Sequence, residues 1–218
     1  MKPGRIVSAA AGERTVLPRE FYGRDTLTVA SELIGKVLVH DTVAGTAAGT
    51  IVEVEAYIGE SDPACHAAPG PTTRNAPLYG QPGVAYVYLN YGVHYLVNAV
   101  TEPEGSPAAV LIRALEPIEG ELLMRRRRAR GTGRAAADFE AVGLCRGPGN
   151  LTRALGITLR DNRQDLTRGP LRIEDRGLPT REVAWTRRIG INVGVEAEWR
   201  CSAIDSPSVS GPRPRVRG

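Results

Sequence analysis

The sequence predicts an α/β mixed (α+β) fold, a single domain with an antiparallel sheet and peripheral helices. At 218 residues and 42% hydrophobic content the chain can bury one sizeable core but is short of two full domains. Apolar segments of period 2 are joined by turn-rich connections, which makes them antiparallel neighbours, and stripes of helical spacing fall between and after them.

Residues 1–16 are small, polar and glycine-containing without periodicity, and read as a mobile N-terminal arm, with order expected from near Pro18. In the next segment Leu27, Ala30, Leu33 and Ile34 form one helical stripe, with Asp25 as N-cap and Gly35 as stop. A strand follows over 36–40. The turn-rich stretch 44–49 leads into a second strand, Ile51-Val-Glu-Val-Glu-Ala-Tyr57. Residues 59–83 are rich in Gly, Pro, Ser, Asp and Thr, and an irregular stretch of that length inside one domain marks a functional loop. A tyrosine-dense hairpin runs from Ala85 to Tyr95 and continues to Val100. Residues 108–115 have the near-continuous apolar character of a central strand, interrupted only by Arg113. A helix with an arginine run is expected over 119–130 and a short helix over 148–155 after a glycine-rich turn. Strands near 171–174 and 189–193 complete the sheet. The domain spans 17–210, and 211–218 is a disordered basic tail.

No apolar run approaches the ~18 to 20 residues that span a bilayer, and the start Met1-Lys-Pro-Gly-Arg-Ile-Val lacks the apolar core of a secretion signal, so a soluble cytoplasmic protein with no membrane partner is expected. The formal charge of +4 and pI near 9.2 permit nucleic-acid binding without requiring it. Arginine supplies almost all the positive charge, since Lys2 and Lys36 are the two lysines; codon bias accounts for most of it, bidentate phosphate contact for the rest. Cys65, Cys145 and Cys201 have no C-x-x-C spacing, and with only His40, His66 and His94 besides, neither a disulfide framework nor a metal site is expected, and no cofactor. Buried or idle thiols are the reading.

Period-2 geometry places Glu53, Glu55 and Tyr57 on one face, the two acids roughly 6 to 7 Å apart at Cα. A two-carboxylate glycosidase is one reading of that pair, and two solvated acids on a half-exposed strand is the other. Four of the seven tyrosines lie between Tyr86 and Tyr95. Tyr91-Gly92 falls at a turn, where a side chain can stand clear of the sheet as an exposed wedge. His66 could serve as a base, a stacking ring, a hydrogen-bond donor or a structural loop residue. The Gly147-Pro-Gly-Asn turn could offer amides to a phosphate or simply cap a helix. A glycosylase that also cleaves the strand needs an amine nucleophile, and with so few lysines water is the expected nucleophile instead.

The series Glu53-Val-Glu-Ala-Tyr57, Asp62-Pro-Ala-Cys-His66, Thr73-Arg-Asn75, Tyr86-Val-Tyr-Leu-Asn-Tyr-Gly92, Asn98, Leu111-Ile-Arg-Ala-Leu-Glu-Pro117 and Gly147-Pro-Gly-Asn-Leu151 closely resembles the alkyladenine (3-methyladenine) DNA glycosylase family. The likeness runs from about Leu17 to about Ser210, and it rests on ordered motifs in succession rather than on any one. It implies a curved antiparallel sheet whose protruding hairpin enters the DNA minor groove. It implies that Glu55 is the general base that deprotonates a water for attack on the anomeric carbon, and that Arg113 holds that water and a nearby phosphate. Tyr57, His66 and Tyr88 match the side chains that contact the extruded base, Tyr91 matches the wedge that takes its place, and Asn98 matches the residue whose bulk disfavours the exocyclic amine of guanine. Glu53 is left as structural or electrostatic. Near the end the chain departs from the pattern, with Cys201 where an aromatic residue is expected after the arginine, a change for packing rather than chemistry.

The resemblance further implies a monofunctional, metal-independent enzyme of base excision repair. It would act as a monomer on duplex DNA bearing 3-methyladenine, 7-methylguanine, hypoxanthine or ethenoadenine and leave an abasic site. The rivals are a non-catalytic module that probes distorted duplexes and a hydrolase of free nucleosides or small glycosides.

Overall fold

Strand alternation divides the residues of this sheet into a face that carries helices and a face that carries a cleft. The computed structural model describes residues 14–212. In chain order the elements are β1 (Thr15–Val16), α1 (Arg19–Tyr22), α2 (Thr26–Leu33), β2 (Val37–Thr42), β3 (Gly45–Ile58), β4 (Ala85–Asn90), β5 (His94–Val100), β6 (Ala108–Glu119), α3 (Glu121–Ala129), α4 (Ala141–Leu144), α5 (Pro148–Leu155), β7 (Leu171–Asp175), β8 (Val183–Thr186) and β9 (Arg200–Ala203). The sheet is antiparallel throughout and curls into a half-barrel. Its main order is β1-β7-β2-β3-β6-β5-β4, while β9 pairs with the second half of β3 and carries β8. No helix among the described residues is long and apolar enough to cross a membrane.

Val54 and Ala56 of β3, Ala85 and Val87 of β4, Val97 and Ala99 of β5, and Val110, Ile112 and Ala114 of β6 join Val29, Ala30 and Leu33 of α2, Met124 of α3 and Leu151, Ala154 and Leu155 of α5 in the main core. The intervening residues, Tyr57, Tyr86, Tyr88, Asn98, Leu111 and Arg113, line the opposite face. Period 2 dictates this division from Val54 to Ile58 and from Ala108 to Ala114, and it breaks where the adjacent pairs Ile51–Val52 and Ala114–Leu115 both enter the core. Burying one such aliphatic side chain contributes roughly 1.5 to 3 kcal/mol, so a register slip would expose the whole inner set and is strongly disfavoured.

Helix α2 starts where Asp25 Oδ1 accepts the Thr28 N–H at 2.8 Å, a cap worth roughly 1 kcal/mol, and ends before Gly35. Helix α5 coincides with the expected range. The arginine run of α3 is partly structural: Arg127 Nη1 donates to the Leu155 carbonyl at 2.6 Å and Arg128 Nη1 to that of Leu144 at 3.1 Å, satisfying last-turn carbonyls of α5 and α4.

Several expectations need correction. Thr15 and Val16, placed in the arm, pair with Asp175 and Glu174, so order begins before Pro18; residues 1–13 of the arm and 213–218 of the tail lie outside the described residues. The helix after β6 begins at Glu121 because the strand continues to Glu119 and turns at Gly120. The stretch 189–193 is not a strand. Its alternation of Ile, Gly, Ile, Asn and Val imitates one, but the chain takes φ of 79° at Gly190 and 61° at Gly194, and the Ile189 N–H bonds a carboxylate rather than a neighbouring strand. Strands β8 and β9 close that region instead, and Cys201 of β9 is fully buried in the main core.

Candidate active site

Strand β3 meets β6 with a double irregularity where the carboxylates stand. Val52 on β3 and Arg113 on β6 each have no residue directly opposite, although the register is the same on either side. Bulges re-aim side chains, and here they bring Arg113 between Glu53 and Glu55. Its Nε donates to Glu53 Oε1 and its Nη1 to Glu55 Oε2, each at 3.0 Å. Both acids are fully buried, so the reading of two solvated acids is overturned.

Glu55 has three protein donors. Arg113 Nη1 and the Tyr57 hydroxyl, at 2.9 Å, share Oε2, and the Ile189 N–H reaches Oε1 at 2.7 Å. Burial pushes the Glu55 carboxyl above the usual range; Arg113, the Ile189 N–H and the Tyr57 hydroxyl oppose the rise, and the charge of Glu53 adds to it. Burial likewise depresses Arg113, but Glu55 and Glu53 together outweigh it and hold the guanidinium firmly charged.

A cleft of about 500 Å³ opens above this pair. The His66 and Tyr88 rings lie 4.5 Å apart, and His66 Nδ1 is 2.8 Å from the Tyr86 hydroxyl. Burial, helped by Arg74, lowers the His66 pKa, so its imidazole is neutral at neutral pH. Burial raises the Tyr57 and Tyr88 phenols, which stay protonated. Asn98 donates Nδ2 to the Tyr86 carbonyl at 2.9 Å, which fixes its side chain in the cleft wall. Cys65, buried and with its thiol pushed up to about 11, also lines the cleft.

The loop 59–83 is held from inside. Asn75 Nδ2 donates to the carbonyls of His66 and Gly70, and its Oδ1 accepts from Thr72 N–H. Asp62 takes both ends of the Arg188 guanidinium at 2.6 and 2.8 Å, and Arg188 lies over the Tyr57 ring at 4.7 Å and the Trp199 ring at 5.0 Å. This pair fastens the loop to 189–193, whose residues form the facing wall. At the rim, Tyr91 and Gly92 both take positive φ, 48° and 69°, in a turn closed by Val93 N–H to the Asn90 carbonyl. Such a turn matches the twist of the strands it joins, and Tyr91 is 89% exposed.

Arg113, Tyr57, His66, Tyr88, Asn98 and Tyr91 therefore line one cleft, and Glu55 lies fully buried behind Tyr57 and Arg113, bonded to both. Sequence reasoning missed Arg188, Ile189, Arg200 and Ser210. Arg188 and Arg200 carry no local signal beyond being charged residues next to apolar ones, and Ile189 works through its backbone. No group of three or more His, Cys, Asp or Glu side chains among the described residues could hold a metal ion.

Residues 20–207 match the sequence model of the methylpurine-DNA glycosylase family. The chain belongs to that family. A relative from Rhodopseudomonas palustris is 47% identical over 200 residues, covering 92% of this chain and 90% of its own. One from Rubrobacter xylanophilus is 50% identical over 188 residues, covering 86% and 93%, and one from Methanocella arvoryzae is 47% identical over 203 residues, covering 91% and 98%. Each bears the name "Putative 3-methyladenine DNA glycosylase". Membership of the methylpurine-DNA glycosylase family makes the chain a DNA glycosylase of repair.

Proposed function

We propose that the protein is a monofunctional 3-methyladenine DNA glycosylase that draws a damaged purine out of duplex DNA into the aromatic cleft. It hydrolyses the N-glycosidic bond with a Glu55-activated water and leaves an abasic site. The observation that carries this reading is the setting of Glu55: a buried carboxylate bonded to Tyr57, Arg113 and Ile189, three residues that line a cleft large enough for a nucleobase.

An ionised carboxylate offers about four acceptor directions. Three are filled, and the one left free on Oε1 is where a water can sit. An elevated pKa makes Glu55 a better base than an exposed carboxylate, and positioned general-base catalysis contributes roughly 10² to 10⁴ in rate. Arg113 orients that water and meets the phosphate beside it. An N3- or N7-alkylated purine is cationic and leaves readily, so no general acid is required. Neutral His66 suits such a base, because a protonated ring would repel it.

Flipping a nucleotide costs a few kcal/mol, least for a damaged and poorly paired base, while stacking on an aromatic side chain is worth roughly 1 to 3 kcal/mol per base. Tyr57, His66 and Tyr88 provide that surface, Tyr91 fills the gap left in the helix, and Asn98 crowds the position of the guanine amine. A hydrolase of free nucleosides would have no use for an exposed Tyr91. The test is release of 3-methyladenine from alkylated duplex DNA by the wild type and by Glu55→Gln. Loss of release in the variant is expected, and equal rates would remove Glu55 from the mechanism.

A further inference from the structure

Glu53 has no step in the mechanism above, yet it accepts four hydrogen bonds. Oε1 receives Arg113 Nε at 3.0 Å, Arg200 Nε at 2.7 Å and the Ser210 hydroxyl at 3.0 Å, and Oε2 receives the Ser210 N–H at 2.6 Å. The second arginine is itself fixed: Arg200 Nη1 donates to Thr186 Oγ1 at 2.9 Å and Nη2 to the Ser210 carbonyl at 2.7 Å. Ser210 Oγ also accepts from Arg113 Nη2 at 3.3 Å. Three segments, β6, β9 and the stretch ending at Pro212, thus converge on one carboxylate of β3.

We infer that Glu53 is the positioning residue of the site: with Arg200 and Ser210 it fixes the plane of the Arg113 guanidinium, so that Nη1 points at Glu55 and the unused edge faces the cleft. The inference rests on the roles proposed above for Glu55 and Arg113. A guanidinium is a rigid planar fork of five N–H groups. Three are taken, by Glu53, Glu55 and Ser210, and once Nε is anchored the remaining two have no freedom except toward the cleft, where a water and a phosphate would be met. Glu53 also balances charge. Two acids and two arginines leave the buried cluster neutral while Glu55 is ionised, whereas without Glu53 two guanidinium groups would face a single carboxylate. A buried charge that loses its partner is strongly unfavourable.

The test compares wild type, Glu53→Gln and Glu53→Asp by single-turnover excision across pH, with DNA affinity measured in parallel. Misplacing Arg113 in Glu53→Gln is expected to lower the chemical rate by about ten- to a hundredfold, with DNA affinity held within about twofold. The acid limb of its rate profile should move from the wild-type position, because Glu55 loses both the negative neighbour Glu53 and the fixed aim of the Arg113 guanidinium, while Arg188, Tyr57 and Tyr88 still face it. Glu53→Asp, which keeps the charge, should return the limb toward the wild-type position. An activity-free readout is the ¹⁵N–¹H signal of Arg113 Nε, assigned with Arg113→Lys: exchange-protected in the wild type and shifted and exposed in Glu53→Gln. Should Glu53→Gln not fold, Ser210→Ala removes one hydroxyl alone and should show a weaker form of the same rate loss and Nε signal change. A folded Glu53→Gln with the wild-type rate and limb would overturn the inference. So would a loss that merely follows the folded fraction while the limb and the Arg113 signal stay put. If the wild type released no base at all, the functional reading would fall, whereas the Nε comparison needs no substrate and would still decide the role of Glu53.

Discussion

The Tyr57 hydroxyl donates to Glu55 Oε2 at 2.9 Å, so one residue ties a face of the cleft to the carboxylate buried behind it. The bond favours the ionised acid and opposes the rise that burial imposes. Tyr57→Phe keeps the ring and deletes the bond. Glu55 should then titrate higher still, and the acid limb of the excision rate should move to higher pH while base stacking is retained. Single-turnover rates across pH check this; an unmoved limb would show that the hydroxyl has no bearing on the base.

Glu55 should be costly to the fold. Its pKa is raised in the folded state, so its contribution to stability is fully present below the unfolded value of about 4.3 and is lost as pH rises through the folded one. At neutral pH the ionised acid is a burden. Glu55→Gln relieves that burden but leaves the buried Arg113 and Arg200 guanidinium groups to share Glu53 alone, so the pH trend is the test: the wild type should gain thermal stability relative to the variant as pH falls from about 7.5 toward about 4, while excision falls by about 10² to 10⁴. Thermal scans at two pH values beside the excision assay separate the two effects.

Tyr91 touches little in the free protein and is 89% exposed, so Tyr91→Ala should change stability by no more than about 0.5 kcal/mol. Excision from duplex DNA should nevertheless drop sharply, and more than excision from a lesion already unpaired. Equal loss on both substrates would place Tyr91 in the chemistry rather than in holding the helix open.

The Asp62–Arg188 pair is dry, with side-chain exposures of 1% and 0%. Asp62→Asn leaves the guanidinium buried without its counter-charge and should cost about 3 to 5 kcal/mol. Chemical denaturation measures it. A loss below about 1 kcal/mol would mean that the pair behaves as a surface bridge.

Much of the fold could be read from residue order. Asp25 and Gly35 bracketed α2, alternation sorted β3 to β6 into two faces, and the tyrosine-glycine pair marked its turn. The same local rules misread 189–193, since period 2 cannot distinguish a strand from a loop whose glycines turn it away and whose N–H seeks a carboxylate. They also passed over Arg188, Arg200 and Ser210, whose partners lie 126, 147 and 157 residues away in the chain. Glu53 and Glu55 were visible as a pair, but their burial follows from bonds to those distant groups.

The offset at Val52 is cancelled by the offset at Arg113, so β3 and β6 leave the active stretch in phase with how they entered it. A physicist would describe two opposite dislocations bound together, a defect with no far field. Evolution can thus reorient the reactive groups inside that short interval while the pairing of β3 with β6 keeps one register from Gly49 to Ile51 and again from Val54 to Ile58.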